Sequence, residues 1–306
     1  MVGTKMKQYK QMQPAVFEKK EELLPVCSES GFNGEPKVIK GPLGESLRSV
    51  TWLSNNVLAT AGDDCATTLH DLTTENTSVT APHSSRVWSV ATTSDGSLSA
   101  SGGKDGAIVL FNAVKGVLST VQGHEGEINC VAFSNTGRFL ASASDDHTVV
   151  VWDVSQPAAP VQVSVLRGHT GWVRACTWSP DGRLLATGGA DRTLRLWTID
   201  AAGAGVDCHV VEHSHSLSLR GLAFSPGWAP AGGLLATACF DNVARLFALK
   251  VDAAGRVQQA HFKQSLFGHT SGVWTVCWSP DGTLLASGGA QPPDAPHTLS
   301  PPLLPY

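Results

Sequence analysis

The sequence predicts an all-β chain of repeated four-stranded sheets, and three observations carry that prediction. Short apolar runs alternate with turn-forming residues throughout, and glycine is abundant at 31 of 306 residues. A small hydroxyl residue recurs inside similar runs, at Thr60, Ser101, Ser142, Thr187, Thr237 and Ser287. An aspartate follows five of these at one fixed offset, as Asp64, Asp105, Asp146, Asp191 and Asp241. Self-similarity at a period of roughly 41 to 50 residues marks stacked units, because one small sheet alone buries a single face.

Each unit reads in the same order. A histidine leads (His83, His124, His169, His215, His269) and an apolar strand follows: VWSVAT, INCVAF, VRACTW, LRGLAF or VWTVCW. A turn comes next, spelled SPDG in two copies, then the strand with the hydroxyl residue, then the aspartate turn. A third strand carries His70, Phe111, Trp152, Trp197 or Phe247, and a more variable fourth strand, such as VQVSVLRGH, completes the unit. Four strands in a unit of this length make one blade of a propeller.

The segments GHTGWVRACTWSPDGRLLATGGADRTLRLW and GHEGEINCVAFSNTGRFLASASDDHTVVVWD resemble WD repeats. The resemblance covers roughly residues 37–290 and implies a β-propeller of four-stranded blades. Six WD-type units are detectable, with the last truncated and the ring expected to be incomplete; seven is common in the family. The first, second and fifth units depart from the pattern at the aromatic position, and the first has Leu43 where the histidine should stand. The expected organisation is a flexible arm over 1–36, the propeller over 37–290 and a Pro-rich disordered tail over 291–306.

In the family, the histidine, hydroxyl, aspartate and tryptophan form a hydrogen-bond relay inside a blade. Complete sets here are His124, Ser142, Asp146 and Trp152, and His169, Thr187, Asp191 and Trp197. A buried carboxylate is costly unless paired, so imidazole and hydroxyl have to satisfy it. The same three groups also compose a hydrolase triad. Here they recur in four successive units with no GxSxG elbow beside any of them, so the expectation is structural.

The family pattern also places exposed side chains three and five residues after the relay histidine, and one before the relay aspartate. Those positions supply a candidate partner-binding rim of Arg48, Arg86, Trp88, Lys104, Glu127, Asn129, Trp172, Arg174, Arg220, Phe240 and Trp274. Tryptophan and arginine are over-represented there, and both dominate protein interface hot spots. The basic surplus of these positions suits an acidic or phosphorylated segment.

The sixth unit begins well, but Gln291 occupies the aspartate position and a proline-rich tail follows. Proline removes ladder donors, so a third strand is not expected there. Lys37–Lys40 is the candidate strand for closing the ring onto that unit.

Composition narrows the function. A net charge of −4 lacks the basic stripe of a direct nucleic-acid binder. The lysine-bearing N-terminus is followed by no apolar stretch, so neither a signal nor a membrane span is expected. Seven scattered cysteines suit a reducing compartment, cytoplasmic or nuclear. Cys130, Cys176 and Cys277 are expected as buried filler, and Cys65 and Cys239 as the more exposed thiols. The run HVVEHSH, with His209, His213 and His215, has no second cluster, so neither metal nor cofactor is expected. The expected function is a non-catalytic scaffold or adaptor. A ubiquitin-ligase substrate receptor is the alternative, although Val154 and Ser155 follow Trp152-Asp153 where an arginine would signal it. A propeller enzyme is the less favoured alternative.

Overall fold

The protein is described by a computed structural model covering residues 23–26, 37–40, 46–212, 214–229 and 231–290. Two short strands, β1 (Leu23–Val26) and β2 (Lys37–Lys40), pair antiparallel with Leu23 opposite Lys40. Five four-stranded antiparallel sheets follow. The first holds β3 (Leu47–Ser54), β4 (Val57–Gly62), β5 (Ala66–Asp71) and β6 (Thr77–Pro82). The second holds β7 (Val87–Thr92), β8 (Ser99–Gly103), β9 (Ala107–Asn112) and β10 (Gly116–Gln122). The third holds β11 (Ile128–Phe133), β12 (Phe139–Ser144), β13 (Val149–Asp153) and β14 (Val161–Leu166). The fourth holds β15 (Val173–Trp178), β16 (Leu184–Gly189), β17 (Leu194–Ile199) and β18 (Gly205–Val211), and the fifth β19 (Leu219–Phe224), β20 (Gly232–Cys239), β21 (Ala244–Val251) and β22 (Val257–Leu266). The sixth unit is the pair β23 (Val273–Trp278) and β24 (Leu285–Gly289). These sheets are the blades of a β-propeller, and among the described residues the ring of blades is not closed.

Blades stack because each must bury both faces. The second and third strands are buried almost throughout, as in FLASAS and VVVW of the third blade. Between the third and fourth blades lie Val149, Val151, Leu166, Val173, Trp178, Leu185 and Trp197, all buried. Each such side chain stabilises by about 1.5–3 kcal/mol when removed from water. Outer strands alternate or are exposed, as solvent-facing edges should be.

Turn chemistry sets the strand spacing. The residue after each relay aspartate adopts a left-handed conformation: Cys65, His147, Arg192, Asn242 and, in the second blade, Gly106. Only Gly106 adopts it without a Cβ penalty. The aspartate offsets that strain by accepting a backbone N–H two residues on, as Asp146 Oδ1 does from Thr148 N at 2.9 Å.

Three expectations are corrected. Lys37–Lys40 does not pair with the sixth unit; its ladder partner is Leu23–Val26, a local hairpin with little loop entropy to lose. Cys277 is exposed, because nothing among the described residues packs on that side of β23, whereas Cys239 is buried with Sγ donating to Leu217 O. Cys65 is half-buried. Leu43, His213, Gln291 and the tail 291–306 lie outside the described residues, as does most of 1–36.

Candidate protein-interaction face

The inner strand of every unit carries a β-bulge at the same place. The register slips between Leu47 and Ser49, Val87 and Ser89, Ile128 and Cys130, Val173 and Ala175, Leu219 and Gly221, and Val273 and Thr275. The residues left out of the ladder are Arg48, Trp88, Asn129, Arg174, Arg220 and Trp274. A bulged residue is unpaired and re-aimed, so the fold itself presents one side chain per unit at one end of the strands. The other rim positions are tied to each other through the backbone. Lys104 N donates to Arg86 O at 2.8 Å, Asp145 N to Glu127 O at 2.9 Å, Ala190 N to Trp172 O at 2.8 Å and Phe240 N to Ser218 O at 3.1 Å. All eleven candidate rim residues therefore gather at one end of the propeller.

Around the first four blades, charge is paired from blade to blade. Arg48 donates twice to Asp63, at 2.9 and 2.7 Å, and Arg86 stands 3.8 Å from the same carboxylate. The Arg48 hydrogen bond lowers the Asp63 pKa against the opposing effect of burial. Trp88 Nε1 donates to Glu127 at 3.0 Å, with Lys104 3.9 Å from that acid. Asn129 donates to Asp145 at 2.6 Å and accepts from Arg174 at 2.6 Å. Arg174 also stacks over Trp172 at 4.6 Å. The fifth and sixth units differ: Arg220 lies over both Phe240 and Trp274, and the two rings meet edge to face at 5.7 Å. Trp172 is 49% exposed and Trp274 41%, large apolar areas that the fold leaves in water.

The relay groups sit one set per blade. In the third blade His124 Nδ1 is 2.7 Å from Asp146, His124 Nε2 is 2.7 Å from Ser142 Oγ, and Trp152 Nε1 donates to that hydroxyl at 2.9 Å. The fourth repeats this with His169, Asp191, Thr187 and Trp197 at 2.7, 2.8 and 2.8 Å. The chain of bonds assigns the protons. Indole N–H goes to the hydroxyl, hydroxyl to Nε2, and Nδ1–H to the carboxylate. The second blade forms the same bonds from His83 to Asp105 and Ser101, with Phe111 in place of the indole.

This is the connectivity of a catalytic triad, but the hydroxyls of Ser101, Ser142, Thr187 and Thr237 are fully buried. A nucleophile that no substrate reaches is a strut.

The fifth blade departs in chemistry. Arg245 Nη1 contacts both His215 Nδ1 and Asp241 Oδ2, and the His215–Asp241 separation opens to 3.4 Å. With Nδ1 accepting from arginine, Nε2 carries the proton and donates to Thr237 Oγ1 at 2.6 Å; Thr237 in turn donates to Arg245 O. Phe247 makes this possible, since no indole competes for that hydroxyl. Burial, then the Arg245 charge, pushes the His215 pKa down to about 4, against the pull of Asp241. His215, Cys239 and Asp241 bring three ligand-type atoms within 4.8 Å of one another. The Arg245 guanidinium already supplies the positive charge there, and burial pushes the Cys239 thiol up to about 11, away from the thiolate that a metal needs.

A propeller whose blades carry a buried relay and whose inner strands bulge toward one rim defines a repeat-built interaction module. Four segments match the family described as WD domain, G-beta repeat: residues 75–112, 115–153, 160–198 and 260–291. The chain belongs to the WD-repeat family. Each matched segment starts on or before the outer strand of one blade and runs into the next blade, so the sequence repeat is staggered against the structural one. The first three strands of the fifth blade, with its arginine-containing relay, and of the first, without a leading histidine among the described residues, fall outside the matched segments. A search of curated proteins finds no match for the chain. WD repeats generally mediate protein–protein interactions and are typically non-catalytic. Among the described residues no helix is long and apolar enough to cross a membrane.

Sequence reasoning missed the bulges and Arg245. The bulge leaves no residue signature, because Arg, Trp and Asn all occupy it. Arg245 was visible only as one of several charged residues in a third strand.

Proposed function

We propose that this protein is a non-catalytic scaffold or adaptor that docks partner proteins on the rim formed by the bulged residues. The observation that carries this reading is the concentration of Trp88, Trp172, Trp274, Arg48, Arg174 and Arg220 at one end of the blades, with two of the tryptophans more than 40% exposed. Aromatic and arginine side chains in this density supply hot-spot energy. The surplus of base over acid suits an acidic or phosphorylated segment. Burial of the relay hydroxyls of the first five blades, Thr60, Ser101, Ser142, Thr187 and Thr237, supports a non-enzymatic role. Cytosol or nucleus is the proposed location, in keeping with the free thiols at six cysteines.

The test is a paired substitution. Arg174→Ala with Trp274→Ala should strip the protein of partners that the unaltered chain captures, while the urea midpoint stays in place. Undiminished capture by this variant would sink the reading.

A further inference from the structure

Arg220 is the rim arginine that meets no acid. Among the described residues no hydrogen bond or ion pair reaches its guanidinium, whereas Arg48, Arg86 and Arg174 each stand within reach of a carboxylate. Phe240 and Trp274 hold it from two sides, their ring centroids 5.0 and 4.9 Å from Cζ. Aromatic faces orient a guanidinium and stabilise its charge, but they leave its in-plane N–H donors unused. Burial first, then the Arg174 charge and more weakly that of Arg48, draws the Arg220 pKa down to about 10, with Asp145 opposing. The cation is held where its environment disfavours it.

The rim as a whole carries the same imbalance. Arg48, Arg86, Lys104, Arg174 and Arg220 face only Asp63, Glu127 and Asp145, in a chain whose net charge is −4. Two positive charges are left over, and the fifth blade holds the unpaired one.

We propose that Arg220, clamped between Phe240 and Trp274 and backed by Arg174, anchors a phosphate monoester carried by a segment of a partner protein. The proposal rests on the rim being the docking face. A planar guanidinium with free donors matches two phosphate oxygens at once, which a lysine does not. A phosphate dianion cancels the surplus of two, where one carboxylate cancels half of it. Exposed Trp274 and Trp172 offer apolar walls to the residues flanking the phosphate. A nucleic-acid backbone fits less well, because Asp63, Glu127 and Asp145 interleave the cations and would repel a continuous polyanion.

The experiment uses the full chain and three immobilised degenerate peptide libraries, identical except for a central phosphoserine, serine or glutamate. Retention on the phosphoserine library should exceed the serine library about tenfold or more, the usual scale for a charge-assisted pair. Arg220→Gln should fall to the serine level. Arg220→Lys, which keeps the charge, should lose several-fold, and Arg138→Gln, at the opposite end of the strands beside Asp153, should change nothing. Equal retention on all three libraries, equal retention on glutamate and phosphoserine, or full retention by Arg220→Gln would each overturn the anchor. So would displacement of the bound phosphopeptide by an equimolar single-stranded oligonucleotide. The two readings fail separately. Partner capture that depends on Trp274 and Arg174 but ignores phosphatase treatment removes the anchor and keeps the docking face. Capture indifferent to all these residues removes both.

Discussion

His70 Nε2 lies 2.9 Å from Thr60 Oγ1, in the place where Trp152 and Trp197 donate to Ser142 and Thr187 two and three blades on. The register agrees: His70 is opposite Leu58, Trp152 opposite Leu140 and Trp197 opposite Leu185. An imidazole therefore does an indole's work in the first blade, and burial lowers its pKa against the raising effect of Asp64. His70→Phe keeps the ring but leaves Thr60, 1% exposed, without this partner. The expected cost is about 1 kcal/mol in urea unfolding at pH 7. No change in midpoint would show that the bond adds nothing.

A second coupling explains why glycine precedes His124. A Cβ placed on Gly123 would lie 2.3 Å from Cη2 of Trp152. The backbone there is not left-handed, so only the indole forbids a side chain. Where the third strand has phenylalanine instead, the preceding residue is Pro82 (with Phe111) or Ser214 (with Phe247); at Gly168, before His169, a φ of +146° and Arg195 Nη1 at 2.7 Å from a Cβ, not the Trp197 indole, favour glycine. Gly123→Ala should cost about 1–3 kcal/mol by overpacking. In a Trp152→Phe background the same change should cost at least 1 kcal/mol less, a positive coupling in a double-mutant cycle. Additive effects would refute the steric explanation.

These residues also mark how far the sequence was legible. Blades, hairpin turns and relay sets were readable because each rests on a fixed offset between chemically distinctive residues: His124 to Ser142, Ser142 to Asp146, Asp146 to Trp152. The rim positions were readable only through the family pattern, since the bulge that aims Arg48, Asn129 and Trp274 alike depends on backbone geometry and tolerates any side chain. Cys176 is buried as expected, but the assignments of Cys277 and Cys239 failed for a related reason. Position within a strand does not set burial when no further blade stands on one side among the described residues, as at Cys277, or when a local carbonyl captures the thiol, as at Cys239. The pairing of Lys37–Lys40 with Leu23–Val26 turned on a hairpin that no motif announced.

Acid stability should separate into two windows. His215 has a native pKa of about 4 against an ordinary value of 6.5, so the native ring stays neutral while the unfolded ring takes up a proton. Its contribution is present in full above pH 6.5 and is lost as pH falls from there toward 4, on the order of 2 kcal/mol. Asp191 and Asp241 act in the same direction but in a lower window. Burial raises each, but hydrogen bonds outweigh it, from His169 to Asp191 and from Arg245 and Ser216 N to Asp241, and hold both at about 2. Their contribution exists above pH 3.8 and disappears only as pH falls toward 2. Urea midpoints taken from pH 7.5 to 3 should therefore decline first between 6.5 and 4. An NMR titration should find one imidazole with an apparent pKa near 4. If every histidine titrated near 6.5, the arginine-bearing relay of the fifth blade would not exist in solution.

Thiol reactivity reports on the open side of the sixth unit. Cys277 is exposed on β23, whereas Cys176 and Cys239 are buried, and burial raises the Cys239 pKa to about 11. Reaction with an alkylating reagent requires both access and thiolate. In native protein at pH 8, Cys277 should be modified within minutes, and Cys239 and Cys176 only on the timescale of unfolding. Digestion and mass spectrometry assign the sites. If Cys277 is protected as strongly as Cys176, some element covers that side of the blade in solution and the ring is more complete than the described residues make it. If Cys239 reacts as fast as Cys277, the hydrogen bond to Leu217 O does not hold.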